Sequence, residues 1–526
     1  MDNNFNNIPA EKFQFATRND LYHDSKFETK PVSYFQGAFQ RFCKNKGAVV
    51  AAVVISILVL FAIFAPFFTP FQPAYYDMVY AYVTPKSHLF ADSGLNFWDG
   101  GRQKDTNYVG YLKDYALASE TGRDVIMNGE YTISEDGSTY SYRYDTYYGV
   151  GFGKYKIISV EEYNDIQRYQ NETGRQVLYP IVKPADRPTL EKNKYDANIY
   201  YEVENPKASI LRPKLDKEGN IIVNYWKHEV GAENSLIPEY NSLRIEGEEG
   251  VTEKGKQYHY AYGRKVDGGI EVRTEYYEYY IYQHNEVLKD GITEPLFLFG
   301  TTQTGKDIFA CLAYGARFSF IFASIVAIAN FVVGVIWGSI SGYFGGKIDL
   351  FMERFAEILG AVPTIIVITL LKYHMGTASQ VLVLFIAFFA TGWIGMAGRT
   401  RMQFYRFKNQ EYVLAARTLG ARDMRIMFKH IFPNGLGTIV TSFALVIPSM
   451  IYSETSFTYL GIINLEAGNT TSVGTLIAAG QQSIMANAGY VAVFPCVFLV
   501  LLMLSFNLFG NGLRDAFNPS LRGTED

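Results

Sequence analysis

Cysteine is scarce in this sequence. The three cysteines, Cys43, Cys311 and Cys496, lie in or near apolar segments, and none lies in the polar stretch of residues 75–292. Disulfide bonds therefore do not staple that stretch, which must rely on a hydrophobic core of its own. An excess of one charge is also lacking, because 48 Lys and Arg stand against 52 Asp and Glu, a formal net charge of -4. No overall basic excess points to nucleic acid as a partner.

Motifs for catalysis or metal binding are equally scarce. The four histidines of residues 75–292 do not have the spacing of metal ligands, and the sequence has no Gly-x-Ser-x-Gly nucleophile motif. Gly300 to Lys306 has the spacing of a phosphate-binding loop, but Asp307 stands where that loop needs a hydroxyl for magnesium. We therefore expect no catalytic residue, no bound cofactor and no metal in this chain.

Long apolar runs are what the sequence does have. Each is about 20 residues long, enough for a helix to cross about 30 Å of hydrocarbon. The predicted spans are residues 48–69, 317–343, 355–372, 379–398, 436–453 and 488–509. The expected fold class is an α-helical polytopic membrane protein with six transmembrane helices.

Loop charges predict the orientation of these spans. Arg399 to Lys429 contains eight Lys or Arg residues against two acidic ones, which indicates a cytoplasmic loop. Residues 454–487 contain no Lys or Arg and are expected outside. The predicted parts are a cytoplasmic N-terminal segment (1–47), a first transmembrane helix (48–69), an extracellular insertion (75–292), a membrane part with five helices (293–512) and a cytoplasmic C-terminal tail (513–526).

The predicted insertion is rich in tyrosine, with about thirty of the forty tyrosines of the chain. Runs such as residues 140–148 and 276–282 alternate or cluster aromatic residues as strands do, with turn residues between the runs. We expect a mostly β or an α+β domain. Its tyrosines either build the sheets and core or form a surface that recognises a protein, a peptide or a cell-wall polymer, and the sequence leaves both open.

Three glycines lie at four-residue spacing in the second predicted span. Gly334, Gly338 and Gly342 give one helix face on which another backbone can approach closely. The face either packs within this bundle or contacts a second, similar subunit.

The basic loop contains a helix, a glycine break and a second helix. The first helix starts near Glu411 and has the small pair Ala415 and Ala416, Gly420 permits the turn that ends it, and the second helix reaches Pro433. A helix with small residues on one side can sit deep in a cleft of a partner protein. An amphipathic helix lying on the membrane surface is the alternative.

This pattern resembles the EAA motif of bacterial ABC-importer permeases. In that family the loop is the coupling helix, which docks in a groove of the ATP-binding subunit. The resemblance implies that the ATPase-coupling residues are Glu411, Ala415, Ala416, Gly420 and Ala421.

Further stretches resemble the C-type permeases of the oligopeptide and dipeptide transporters. They fall within residues 35–75 and 293–523, and include Gly342-Tyr-Phe-Gly-Gly346 and Asn511-Gly-Leu-Arg514-Asp515. The resemblance implies the type I ABC-importer permease fold in a bacterial plasma membrane. Its implied partners are a second homologous permease, two ATP-binding subunits that bind ATP and Mg, and an extracellular substrate-binding protein that delivers peptide. The family has a short loop where this chain has its insertion.

Other functions stay open at this point. Related permeases carry nickel or other small solutes. A self-contained ion-coupled carrier should show ionisable residues at mid-membrane and inverted repeats with broken helices, which we do not find. A membrane-anchored receptor or adhesin would act through the tyrosine-rich domain and would need only one span.

Overall fold

The computed structural model describes residues 34–91, 96–150, 154–184, 251–253, 256–376, 379–466 and 470–517, with short pieces between 204 and 237. Residues 1–33 of the predicted N-terminal segment and residues 518–526 of the predicted C-terminal tail lie outside the described residues. Most of residues 185–250 of the predicted insertion also lie outside them.

The described residues form helices and short strands. The helices are α1 (Tyr34–Lys44), α2 (Lys46–Phe68), α3 (His88–Ala91), α4 (Tyr108–Thr121), α5 (Val160–Thr173), α6 (Tyr276–Tyr282), α7 (Ile308–Phe344), α8 (Gly346–Gly360), α9 (Thr364–His374), α10 (Gln380–Gly392), α11 (Ile394–Phe407), α12 (Glu411–Thr418), α13 (Asp423–Arg425), α14 (Phe432–Ala444), α15 (Val446–Tyr459), α16 (Val473–Ile484) and α17 (Tyr490–Phe517). The strands are β1 (Gly101–Thr106), β2 (Ile126–Ile133), β3 (Tyr140–Asp145), β4 (Lys154–Ile158), β5 (Leu178–Tyr179), β6 (Lys227–Glu229), β7 (Leu236–Ile237), β8 (Val251–Glu253), β9 (Lys256–Tyr260), β10 (Gly263–Val266) and β11 (Gly269–Thr274). A 3₁₀ turn covers Met78–Tyr80, and π-helical turns cover Gln283–Leu288 and Ile426–Ile431.

Long apolar helices make up the membrane part. Within the described residues, five helical runs are long and apolar enough to cross a membrane: α2, α7, α10 with α11, the run from α13 to α15, and α17. A sixth candidate arises only if α8 and α9 count together. The chain is thus a polytopic helical membrane protein with five or six candidate spans.

One predicted span is sharply bent in the structure. Residues 355–372 were predicted as one span that Pro363 interrupts; α8 ends at Gly360, α9 begins at Thr364, and the two helices are bent by 70°. Pro363 lies in the break, where it has no amide hydrogen for a helical hydrogen bond and disfavours helical backbone in the residue before it. The bent pair is either a broken span or a re-entrant loop.

The glycine face of α7 packs against α11. A Cβ atom at Gly338 would lie 2.3 Å from the carbonyl oxygen of Ala397, and Cβ atoms at Gly334 and Gly342 would approach atoms of α11 to 2.7 Å. Any side chain at these positions would push the two helices apart. Of the two interpretations of this face, the structure shows packing within the bundle, with α11 covering it.

A proline in α2 leaves a backbone carbonyl free to accept hydrogen bonds from α7. Pro66 has no amide hydrogen, so the carbonyl of Ala62, one turn earlier, lacks its helical partner. Arg317 of α7 replaces it, because its Nε donates to the Ala62 oxygen at 3.1 Å and its Nη2 donates to the Ile63 oxygen at 2.5 Å. The guanidinium also lies over the ring of Phe67 at 4.7 Å. The C-terminal end of α2 is thereby fixed to α7.

The region between α2 and α7 combines three antiparallel sheets with helices. One sheet has the order β1-β3-β2, a second has the order β4-β11-β10-β7 with β5 paired to β11, and a third has the order β6-β9-β8. Helices α4, α5 and α6 accompany these sheets. The described part of this region is therefore α+β.

Two tyrosine-rich runs of this region form different secondary structures. Residues 140–145 form strand β3 as predicted, but the run Tyr276–Tyr282 forms helix α6 rather than a strand. Glu275 caps this helix, with its carboxylate accepting from the amides of Tyr277 and Glu278. The core surrounds Tyr277 to Tyr282, so capping and burial on all sides outweigh the strand preference of aromatic residues. The strand prediction for this run is wrong.

Many of these tyrosines build hydrophobic cores. One core packs α5 and α6 against β4 and β11, and a second packs α4 against β2 and β3. The buried tyrosines of the two cores are Tyr142, Tyr144, Tyr163, Tyr169, Tyr262, Tyr279 and Tyr282. Core building thus accounts for a large share of the described tyrosines.

A third aromatic core joins this α+β region to one end of the membrane helices. Tyr80 and Tyr147 pack there with Phe297 and with Ala310 of α7. Trp98 stacks on Phe494 of α17, with ring centroids 5.9 Å apart. Phe71, three residues after α2, belongs to the same core, and Ala310 and Phe494 lie near the N-terminal ends of α7 and α17, so the α+β region sits directly on the bundle.

Candidate functional site

The loop between α11 and α14 consists of α12, a tight turn, α13 and a π-helical turn; we name residues 411–431 the coupling loop. Helix α12 ends in a Schellman turn: the amide of Ala421 bonds to the Ala416 oxygen at 3.1 Å, and the amide of Gly420 bonds to the Arg417 oxygen at 3.0 Å. Gly420 has φ of +81°, in the left-handed region that this turn requires and that glycine adopts freely. The spacing of Ala416, Gly420 and Ala421 thus has a backbone explanation.

Buried residues hold the coupling loop against the bundle. Val413, Ile426, Met427 and Ile431 are fully buried and pack with Phe404 of α11 and Tyr343 of α7 in one cluster. A cluster of this kind moves as one piece with the helices that it touches. The coupling loop is therefore an anchored element of the bundle.

A single hydroxyl contacts both arms of the coupling loop. Tyr343, one residue before the end of α7, donates its hydroxyl hydrogen to Oδ1 of Asp423 at 2.5 Å. The hydroxyl oxygen of Tyr343 in turn accepts a hydrogen bond from Nη2 of Arg417 at 3.4 Å. Because Arg417 precedes the turn and Asp423 follows it, Tyr343 fixes the angle between the two arms.

The opposite face of the coupling loop is exposed and apolar. Leu419 is 88% exposed and Met424 is 65% exposed, and Leu414 and Tyr412 are nearly half exposed. Exposed apolar residues gathered on one loop make this face a candidate surface for contact with another protein. The small side chain of Ala415 is also exposed and leaves room for a close approach.

The structure brings the sequence-predicted site residues into one element. Glu411 opens α12, in the first turn where a negative charge is favourable, Ala415 is exposed, and the other three form the terminal turn. Leu419, Met424 and Tyr343 were not among the sequence-predicted site residues. The apolar residues on each side of Gly420 were a visible signal for the first two, whereas Tyr343 is distant in sequence and gave none.

The segment that resembles a phosphate-binding loop has another role. The carboxylate of Asp307 accepts from the amides of Phe309 at 3.2 Å and Ala310 at 3.1 Å, and so caps the N-terminus of α7. An acidic side chain thus occupies the place of a phosphate. Among the described residues, no group of three or more His, Cys, Asp or Glu is placed to hold a metal ion.

Two family models match the chain. The family "Binding-protein-dependent transport system inner membrane component" matches residues 334–523. The family "N-terminal TM domain of oligopeptide transport permease C" matches residues 33–85. Residues 86–333, which include most of the α+β region, lie between the two matches.

Curated relatives are similar over the same part. The oligopeptide transport system permease protein OppC of Bacillus subtilis is 41% identical over 224 residues, which are 43% of this chain and 72% of that protein. The dipeptide transport system permease protein DppC of the same organism is 38% identical over 43% of this chain and 69% of its own length. OppC of Escherichia coli is 37% identical over 43% of this chain and 72% of its own length.

Among solved structures, an inward-facing form of the MetNI methionine ABC transporter has a similar chain. The match has 16% sequence identity and a TM-score of 0.31, and it covers 39% of this chain and 94% of that one. The sequence matches, which are far closer, place the chain among its relatives. It belongs to the inner membrane permeases of binding-protein-dependent transport systems, in the branch of the oligopeptide and dipeptide permeases.

Proposed function

We propose that this chain is a permease subunit of an ATP-driven importer of oligopeptides or dipeptides, and that it couples to ATPase subunits through the coupling loop. The observation that carries the proposal is the exposed apolar face of that loop on a helix anchored to α7 and α11. The named relatives transport oligopeptides or dipeptides, which supports peptide as the cargo. Permeases of this family are transport subunits and not catalytic subunits, and partner subunits hydrolyse ATP.

The proposed assembly contains a second homologous permease, two ATP-binding subunits and an extracellular substrate-binding protein. Transport in such an assembly is a shift between outward-open and inward-open states that follows the nucleotide state of the ATPases. The ATPase-coupling role is assigned to Glu411, Ala415, Ala416, Gly420 and Ala421, together with the apolar face that surrounds them.

We further propose that the coupling loop and both termini are cytoplasmic, that six helices cross the membrane, and that the α+β region is the extracellular insertion. The basic character of residues 399–429 supports this orientation. The α+β region packs on the start of α7, whereas the coupling loop packs on its last turn at Tyr343. The two features therefore lie at opposite ends of the bundle, as a two-sided coupling device requires.

Ala415→Arg tests the coupling role. A long charged side chain at this exposed small residue should block close docking of the ATPase subunits without disturbing the buried cluster. Asn409→Arg is the matched control, because it adds the same charge at an exposed residue just before α12. We expect Ala415→Arg to abolish peptide-stimulated ATPase activity in the reconstituted complex and to weaken co-purification of the ATPase subunits. Normal stimulation in this variant would refute the proposal, provided that Asn409→Arg is also normal.

A further inference from the structure

A polar cavity lies at the end of the bundle that carries the coupling loop. It has a volume of about 430 Å³ and opens between α11, α14 and α17. Its polar lining consists of Arg399, Arg406, Thr438, Thr441, Ser442, Asn511 and Arg514. Three helices of the membrane part thus converge on a basic site to which the proposed function assigns no role.

Among the residues that the structure describes, the three arginines of this cavity have no acidic partner. Arg399 and Arg406 are seven residues apart on α11, so they lie on one face about 10 Å apart along the helix axis. Within the described part of the chain neither they nor Arg514 form an ion pair, and Asp515 is a sequence neighbour that does not face Arg514 on the helix. Arg401 differs, because Asp349 accepts two hydrogen bonds from it at 2.6 and 2.7 Å. The cavity therefore gathers three positive charges whose mutual repulsion an anion would relieve.

One wall of the same cavity is apolar. Leu445, which directly follows α14, and Phe517 of α17 line it beside the arginines. Leu445 fits closely because Gly510 has no side chain: a Cβ atom there would lie 2.5 Å from Cδ2 of Leu445. A basic lining next to a smooth apolar wall suits a ligand with an anionic head and an apolar tail.

We propose that this cavity binds the headgroup of an anionic phospholipid from the cytoplasmic leaflet. The inference rests on the cytoplasmic orientation given under the proposed function. Guanidinium groups bind phosphate oxygens in a two-pronged geometry, and basic pockets between membrane helices on the cytoplasmic side suit such headgroups. Three positive charges favour a lipid with two phosphates, cardiolipin, over one with a single phosphate.

Lipid retention by the intact transporter complex tests this site. The complex is purified from membranes, exchanged into nanodiscs of phosphatidylcholine with or without cardiolipin, and the bound lipid is counted by native mass spectrometry. Each of Arg399→Gln, Arg406→Gln and Arg514→Gln is expected to lower cardiolipin affinity about tenfold, because each removes a charge-assisted contact. Arg406→Lys keeps the charge and should retain most of the binding.

Arg354→Gln is the control for loss of a positive charge elsewhere, because Arg354 lies on α8 outside the cavity, with its side chain 68% exposed and paired with Glu357. It should retain cardiolipin as the unchanged protein does. Equal retention by the triple Gln variant would overturn the proposal. Displacement of cardiolipin by inorganic phosphate at modest concentration would also overturn it and identify the ligand as a free anion. If the triple Gln variant loses the second permease subunit but keeps its cardiolipin, the cavity is a protein interface and the proposal is overturned.

This test is independent of transport. Lipid counting needs neither ATP nor peptide, so its failure leaves the coupling assignment intact. Conversely, Ala415→Arg should leave the lipid count unchanged even where it abolishes coupling.

Discussion

Substitution of Gly420 probes the coupling loop through backbone conformation alone. Its φ of +81° is in the left-handed region, and a Cβ atom there would meet nothing within 4 Å. A new side chain therefore adds strain in the backbone without a steric clash. For an L-residue this strain is about 1–2 kcal/mol.

That strain corresponds to a roughly 5- to 30-fold shift of the equilibrium away from the Schellman turn. Asparagine tolerates left-handed backbone better than alanine, and a β-branched residue tolerates it least. We expect peptide-stimulated ATPase activity to fall in the order glycine, asparagine, alanine, valine at position 420. The ranking follows backbone preference and not side-chain size, because asparagine is larger than alanine.

The assay is ATP hydrolysis by the reconstituted complex with and without peptide, at matched amounts of inserted permease. Gly489→Ala is the control, because a Cβ at Gly489 also meets open space but its φ is outside the left-handed region. It should behave as the unchanged protein does. A Gly420→Val variant with full stimulation, or an asparagine variant worse than the alanine variant, would refute the conformational reasoning.

Three more predictions concern the α+β region. A cysteine introduced at Ser134, in the exposed turn before β3, should react with a membrane-impermeant maleimide in intact cells, whereas one at Met424 should react only after lysis; the reverse pattern would invert the orientation. Burial raises the pKa of Glu275 to about 7 despite the opposing charge of Arg123, so the folded protein holds a proton that the unfolded chain releases above about pH 4.5. Unfolding free energy should therefore fall by up to about 3 kcal/mol as pH rises from about 4.5 to 7, and denaturant unfolding of Glu275→Gln should lack this slope. Trp98→Ala should weaken the attachment of the α+β region to α17 by about 1–3 kcal/mol, seen as faster amide exchange at its contacts, and unchanged exchange would contradict the role of the stacked rings.

Local signals in the sequence predicted much of the membrane part. Apolar runs of about 20 residues are a direct consequence of bilayer thickness, so α2, α7 and α17 were visible without a structure. The bend at Pro363 was harder, because membrane helices accommodate some prolines and break at others: Pro495 lies inside α17 without interrupting it. Neighbouring helices decide between these outcomes, and they are not local in sequence.

Long-range contacts decide structure that sequence patterns alone did not predict, as the α+β region shows. A run of tyrosines has strand preference, but helix α6 forms because Glu275 caps it and the core encloses it. The contact of Arg317 with the Ala62 carbonyl joins residues 255 positions apart. The periodicity of apolar residues along the sequence carries no information about a contact between such distant residues. The five motif residues of the coupling loop stay a prediction in their functional role, although their backbone geometry is now clear.

Helix α7 joins the two ends of this molecule. Its 37 residues span about 55 Å, nearly twice the hydrocarbon thickness of about 30 Å, and it contains no proline. Asp307 and Ala310 seat one end in the α+β region, and Tyr343 binds the coupling loop at the other. Free-energy coupling between two binding sites is reciprocal. If nucleotide on the ATPase side changes the affinity of the α+β region for any partner, that partner must change nucleotide affinity by the same factor, and α7 is the physical link through which both would act.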